Sequence, residues 1–282
     1  MAYILNDPAI FDTEPINPFD IYRLSVGNKI YERDFLPIRW AKGHDYKYIV
    51  DAAAVGNIEC VEYLHRKDYL WSPKICQVAA ANGHFNLLVY LHENDCPWDG
   101  ETCASAAANN HLDCLIYAHE KGCGWDESTC EYAAENGNLK CLIYAHENDC
   151  PWDWKTSTKA TRYGHLDCLK YAHEQGCERD IWTCEVAAVN GHLDCLIYAH
   201  QEGYEWDETT CMNAAAGGHL DCLIYLHDNN CPWDESTCKM AAILGHLDCL
   251  IYAIENKCRY DYNICRSQHL DILLYLKRKM IC

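Results

Sequence analysis

An all-α helical solenoid is the fold class this sequence predicts, on three observations. A Trp-Asp pair recurs with a spacing of 27 residues, at Trp98, Trp125, Trp152, Trp206 and Trp233. The residues between the pairs repeat as well: Thr-Cys soon after the tryptophan, then Ala-Ala, Gly-His, Leu-Asp-Cys-Leu and Tyr-Ala-His. No segment alternates apolar and polar side chains in the manner of a half-buried strand. A fixed period of this length marks a stack of repeats, in which each unit buries its apolar face on its neighbours.

In-phase units run 44–70, 71–97, 98–124, 125–151, 152–178, 179–205, 206–232 and 233–259, with a shortened one at 260–282. That gives about eight or nine helix-turn-helix repeats, with atypical units at the ends where one face meets water. In the unit at 125, Asp126 and Ser128 are N-cap candidates, and Ser128 with Glu131 matches a capping box. Asn136-Gly137 ends that first helix, since glycine accepts the left-handed conformation needed there. A second helix then spans 139–147, and Cys150-Pro151 leads to the next tryptophan.

Residues 1–43 are composed differently. They hold three of the four Phe and four of the eight Pro, but none of the 21 Cys and none of the 15 His. We read them as a non-repeat segment, serving as a cap, an arm or a docking element, and residues 44–282 as the solenoid. No hydrophobic run approaches the roughly 18 residues needed to span a bilayer. Nor does the start have the basic head and apolar centre of a secretory signal, so the expectation is an intracellular chain.

Formal charge is −19, and residues 1–43 contribute only 5 Lys/Arg against 6 Asp/Glu. The repeats therefore carry nearly all of it. An acidic solenoid disfavours nucleic acid, whose phosphates need a basic footprint, disfavours anionic membranes, and favours basic protein partners. The cysteines are locked to the repeat, as in Cys103, Cys130, Cys184, Cys211 and Cys238, and read as small apolar thiols filling one core slot. No C-x-x-C pair exists, so the strongest zinc and thiol-redox signatures are absent.

The order Thr210, Ala214-Ala215, Gly218-His219 and Leu223 resembles the ankyrin repeat, over roughly residues 44–276. Two departures stand out. Cysteine and variable residues replace the Pro-Leu-His that follows Thr in the family, and the period is six short of the usual 33. The projecting β-hairpin finger is therefore expected to be absent or cut to a tight turn. The short Cys/Trp-rich version is similar to ankyrin-type proteins of giant viruses of amoebae. The resemblance implies a non-enzymatic protein binder, acting in the host-cell cytoplasm or with a virion.

Counting the tryptophan as position 1, positions 5, 6, 9 and 10 are nearly fixed, whereas 7, 8, 11 and 12 vary. At about 100° per residue the fixed set covers roughly a 140° arc of the first helix. That arc is expected to pack and the opposite one to be exposed. The richest variable residues fall in two adjacent units: Trp154, Lys155, Lys159, Arg162 and Tyr163, then Ile181, Trp182, Val186 and Val189. Trp, Tyr and Arg dominate interface hot spots, so these nine are the candidate partner-binding residues. The competing reading is neutral drift at surface positions, with both tryptophans lying flat on a neighbour.

The recurrent tryptophans read as structural staples of the inter-repeat turns, and the Gly-His histidines as hydrogen-bonding the adjacent turn. Pairs such as His146/Cys150 and His227/Cys231 sit four residues apart and could each offer two zinc ligands. A site needs four, or three and water, so packing is favoured and no metal is assigned. There is no glycine-rich phosphate loop and no nucleophile elbow. We assign no catalytic residue and no cofactor, and expect a scaffold or adaptor. The alternatives are a structural component of an assembly, or a ubiquitin-ligase adaptor acting through residues 1–43.

Overall fold

The computed structural model describes residues 47–279; the reading of residues 1–43 lies outside them. Two compact units follow one another, one ending at Trp125 and the other beginning at Asp126. The described residues contain α-helices, one 3-10 turn and no strand.

The first unit contains three helix pairs. They are α1 (Lys47–Ala54) with α2 (Ile58–Arg66), α3 (Pro73–Ala81) with α4 (Phe85–Glu93), and α5 (Gly100–Ala108) with α6 (Leu112–Glu120). The second contains five more. These are α7 (Glu127–Glu135) with α8 (Leu139–Glu147), α9 (Trp154–Arg162) with α10 (Leu166–Glu174), α11 (Thr183–Asn190) with α12 (Leu193–Gln201), α13 (Glu208–Gly217) with α14 (Leu220–Asp228), and α15 (Glu235–Leu244) with α16 (Leu247–Glu255). A 3-10 turn (Tyr262–Arg266) then stands where a first helix would, before α17 (Leu270–Arg278). The helix pairs and the period agree with the sequence expectation. The connector between pairs is short, as at residues 148–153 between α8 and α9; it replaces the finger.

First helices of successive repeats pack on one another within each unit, α3 on α5, α7 on α9, α11 on α13 and α13 on α15. The Ala-Ala pair makes this possible: Ala187, Ala188, Ala214 and Ala215 are fully buried, and their small side chains let the helix backbones approach closely. From the second helices, Leu142, Leu169, Leu196, Leu223 and Leu250 fill the space beneath. Nineteen cysteines between Cys60 and Cys258 are free thiols, and all but Cys60 are buried.

The Gly-His pair is a lock between repeats. Gly164, Gly191 and Gly218 adopt φ of 75–76°, a region costly for any residue with a Cβ. A Cβ on Gly191 would sit 2.4 Å from Nδ1 of His219 in the next repeat, so the glycine also makes room for the ring. The ring's other nitrogen is used as well: Nε2 of His165 donates to the carbonyl of Glu135 at 3.0 Å, and Nε2 of His192 to that of Arg162 at 2.9 Å. The histidines do bond the adjacent turn, and the glycines are there to admit them.

A second ladder is aromatic. His146, at the end of α8, stacks on Trp152 at 3.9 Å, and its Nδ1 lies 2.9 Å from the hydroxyl of Tyr171 in α10. The triad recurs as His92–Trp98–Tyr117, His200–Trp206–Tyr225 and His227–Trp233–Tyr252. The repeated tryptophan is thus a staple, as expected, held from one side by a histidine and from the other by a tyrosine edge. The cysteine four residues after that histidine goes elsewhere. Cys150 Sγ donates to the carbonyl of Asp126 at 3.2 Å, and Cys231 to that of Asp207 at 3.3 Å. The His/Cys pairs therefore serve two different contacts.

The capping chemistry differs from the sequence reading. The N-cap of α7 is Asp126, and Ser128 lies inside the helix, where its N–H and its hydroxyl both bond the Asp126 carboxylate. Asp234 and Ser236 repeat this arrangement. A capping box does occur, between Asp207 and Thr210. The aspartate wins because it sits outside the helix in extended backbone, from which a carboxylate reaches the free N–H groups of the first turn.

Candidate functional site

The repeats beginning at 152 and 179 depart from the frame in the same places that the sequence singled out. Where Trp should open the second of them stands Arg179. Its guanidinium lies 4.9 Å over the ring of Tyr204, donates to Nε2 of His173 at 2.6 Å, and donates to the carbonyl of Glu202 at 3.3 Å. Because Nε2 of His173 accepts, Nδ1 carries the proton and donates to Tyr198 at 2.7 Å. Arginine thus replaces the flat face of tryptophan by a cation–π contact, worth up to about 1–2 kcal/mol. Tyr204 itself stands where other repeats have cysteine. Burial and Glu202 together push the neighbouring Tyr198 hydroxyl up to about 12.

Loss of that cysteine removes the thiol that would donate to the aspartate carbonyl. Thr183 takes its place, its hydroxyl donating to the carbonyl of Asp180 at 2.7 Å. The Asp180 side chain is buried, with Oδ2 accepting from the hydroxyl of Thr158 at 2.7 Å and Oδ1 from the N–H of Trp182 at 3.1 Å. No hydroxyl follows two residues later to clamp it, as Ser128 and Ser236 do elsewhere. The first turn does not close into helix, and α11 begins only at Thr183. Ile181 and Trp182 are left in a turn, 75% and 53% exposed.

The other candidates are distributed as follows. Trp154 opens α9 and is 43% exposed; Tyr163, Val189 and Arg162 are exposed, and Val186 is half-buried. Trp154 and Trp182 each leave about half of the side chain open to solvent. Lys155 and Lys159 are already engaged: Lys155 Nζ lies 3.4 Å from both Glu131 and Asp153, and Lys159 Nζ 2.6 Å from Glu135. The Lys159 ammonium, with the Tyr163 hydroxyl and Arg162 nearby, holds the Glu135 carboxyl below the usual carboxylate range. Three of the nine candidates therefore gather around one acid on α7, the first helix of the preceding repeat. Burial raises the Glu185 carboxyl, beside Thr209 and Asn213 of the next repeat.

One part of the variable-face expectation needs correction. Ala104 and Thr158, both at position 7, are buried, whereas Lys239 at the same position is exposed. Position 12 is exposed as expected, and its asparagines also bond their own helix: Asn82, Asn109, Asn136 and Asn190 each donate their side-chain amide to the carbonyl four residues earlier. Tyr163 and Leu244 break that rule and project outward. Three exposed side chains on first helices escaped the sequence reading: Tyr132 on α7, and Ile243 and Leu244 on α15. The signal was present, since each is a large apolar residue at position 8, 11 or 12.

Among the described residues no group of three or more His, Cys, Asp or Glu side chains could hold a metal ion. No helix among them is long and apolar enough to cross a membrane.

No family model matches the chain. No curated protein matches it. Among solved structures it is similar to the human ASB11 ankyrin repeat domain, at 18% identity and a TM-score of 0.48, over 56% of this chain and 84% of that one.

Proposed function

We propose that this chain is a non-catalytic protein-binding module, and that its partner docks on the first-helix side of the repeats beginning at 152 and 179. The observation that supports this reading is the coincidence of two features. These repeats break the frame, and they leave Trp154, Tyr163, Ile181, Trp182 and Val189 exposed. Large rigid side chains give much contact area for little entropy loss. Their exposure is sustained by compensating contacts (Arg179 on Tyr204, Thr183 for the lost thiol), so the apolar surface is held in place rather than left by collapse.

The repeats are strongly acidic, while the nearby Lys155 and Lys159 are neutralised by Glu131 and Glu135. A partner offering an apolar anchor flanked by Lys or Arg fits that field. Affinity capture from a cell lysate, run with wild type beside the Trp154→Ala/Trp182→Ala double variant, tests the reading. The retained partner should be lost with the variant, or bind about tenfold or more weakly, while circular dichroism shows unchanged helicity. Equal capture by both would sink the patch. Self-association at micromolar concentration without any partner would favour a structural component instead.

A further inference from the structure

We propose that α17 is a self-pairing surface, on which the α17 of a second copy of this chain lies antiparallel to form a closed dimer. At about 100° per residue, Leu270, Leu273, Leu274, Lys277 and Arg278 share one arc of this helix roughly 140° wide, with Asp271 at its edge. Leu270 is 70% and Leu274 47% exposed. The same slots of α16 are better covered: Leu247 and Ile251 are half-buried, and Leu250 is fully buried. No repeat among the described residues follows α17. The outer face of a stack is polar where it meets water, and this one carries leucines instead.

Charge selects the occupant. Every second helix from α4 to α16 ends in Glu, Asp or Gln, as at Glu147, Glu174, Asp228 and Glu255. The last one ends in Lys277-Arg278 instead, yet keeps an acid near its start, Asp271. Lys279 is already engaged, with Nζ 3.2 Å from Glu255. Asp271 and Arg278 are exposed and form no ion pair among the described residues. A helix with its acid first and its base last complements its own reverse. With Leu274 facing Leu274 across a two-fold axis, Asp271 of each copy meets Arg278 of the other. The aliphatic stem of Lys277 then covers Leu270 of the other copy, its ammonium still in water. The regular helices lack this property: an antiparallel copy of α14 would set Asp221 against Asp228.

The contact is isologous, so it closes at two copies and cannot propagate. It thereby differs from the open self-association of a structural component. One helix face per copy is a small interface, so pairing belongs in the micromolar range. The docking repeats at 152 and 179 contribute nothing to it. A pair carries two docking surfaces and holds a repeated partner by avidity. That consequence rests on the docking reading, whereas the pairing itself does not.

Sedimentation equilibrium of the full chain tests the pairing, run in dithiothreitol so that no disulfide contributes. The mass should rise from one chain to two across the micromolar range and stop there. Leu270→Asp/Leu274→Asp should stay monomeric, with helicity unchanged by circular dichroism. Asp271→Arg and Arg278→Asp should each weaken pairing about tenfold or more, because two symmetry-related ion pairs become repulsions. The Asp271→Arg/Arg278→Asp double variant should restore it. That rescue changes only exposed residues, so it decides the matter even if the two aspartates disturb α17. A chain that stays monomeric throughout would overturn the proposal. So would a mass that keeps climbing, a dimer untouched by the two aspartates, or single charge variants that pair as well as wild type. Trp154→Ala/Trp182→Ala should lose the docked partner and keep the dimer, so the two proposals fail separately.

Discussion

The repeats beginning at 206 and 179 adjoin in one unit and share a length, yet they reach it by different chemistry. The first follows the frame: Trp206 stacks on His200, Asp207 caps α13, and Cys231 donates to the Asp207 carbonyl. In the second, Arg179 lies on Tyr204, Asp180 turns inward to Thr158, and Thr183 supplies the missing donor. The difference teaches that the frame consists of contacts to be satisfied and not of residue types to be kept. A repeat can change several side chains at once, provided each lost donor or ring finds a substitute. The residues released by the exchange, Ile181 and Trp182, become surface.

The sharpest way to test this distinction is to remove the same residue type from both settings. Trp152 belongs to the ladder, stacked on His146 and edge-on to Tyr171 at 6.1 Å, whereas Trp182 projects from a turn. Trp152→Ala should cost about 3 kcal/mol, as expected when a packed aromatic is deleted. Trp182→Ala should change stability by about 0.5 kcal/mol or less. Urea unfolding of the two variants measures both. Equal losses would mean that the exposed tryptophan is structural, and would remove the basis for a docking role.

Glycines offer a second contrast of the same kind. Gly191 and Gly203 have nearly equal φ, 75° and 78°. A Cβ on Gly191 would strike the His219 ring, but one on Gly203 would meet nothing within 4 Å. Gly203→Ala should therefore cost only the backbone strain, about 1 kcal/mol, and Gly191→Ala about 2–3 kcal/mol. Thermal melts that separate the two by less than a degree would break the claim that the glycine exists to seat the histidine.

How much of this was legible in the sequence follows from how each feature is encoded. The helices and their period were legible because every unit states them again, and one chain serves as its own set of comparisons. The role of the Gly-His histidine was legible for the same reason. Ser128 as a cap was misread because serine and aspartate are both good N-caps, and only the backbone shows which lies outside the helix. The asparagines at position 12 are exposed as expected, but their bond to their own helix was not legible, since a residue that caps its own helix varies wherever another side chain can end that helix, as at Tyr163. The Arg179–Tyr204 exchange was missed altogether. Its trace was two departures in one repeat, 25 residues apart, and only the fold brings them together.

That exchange can be tested for its own energetics. Arg179→Ala and Tyr204→Ala should each destabilise the chain, and the double variant should cost less than their sum by about 0.5–1 kcal/mol, the coupling expected of a cation–π pair. Restoring the frame with Arg179→Trp alone should not recover full stability, because Tyr204 would remain where the regular repeats have cysteine. An additive pair would mean that the two departures are independent.

The smallest effect concerns the charges beside the patch. Lys159 and Glu135 are mostly but not fully covered, and ion pairs of this kind contribute about 0.2–1 kcal/mol. Since Lys159 holds the Glu135 carboxyl below its ordinary value, the contribution is complete above the usual carboxylate pKa and fades as pH falls through the lowered one. Lys159→Met should therefore reduce stability slightly at neutral pH and not at all in acid. If the patch binds a basic partner, the same variant should leave Glu135 unpaired and strengthen association at low salt, because it adds net negative charge where Lys or Arg would approach. A variant that weakens binding would show instead that Lys159 meets the partner directly, and would reverse the sign of the field assigned to this surface.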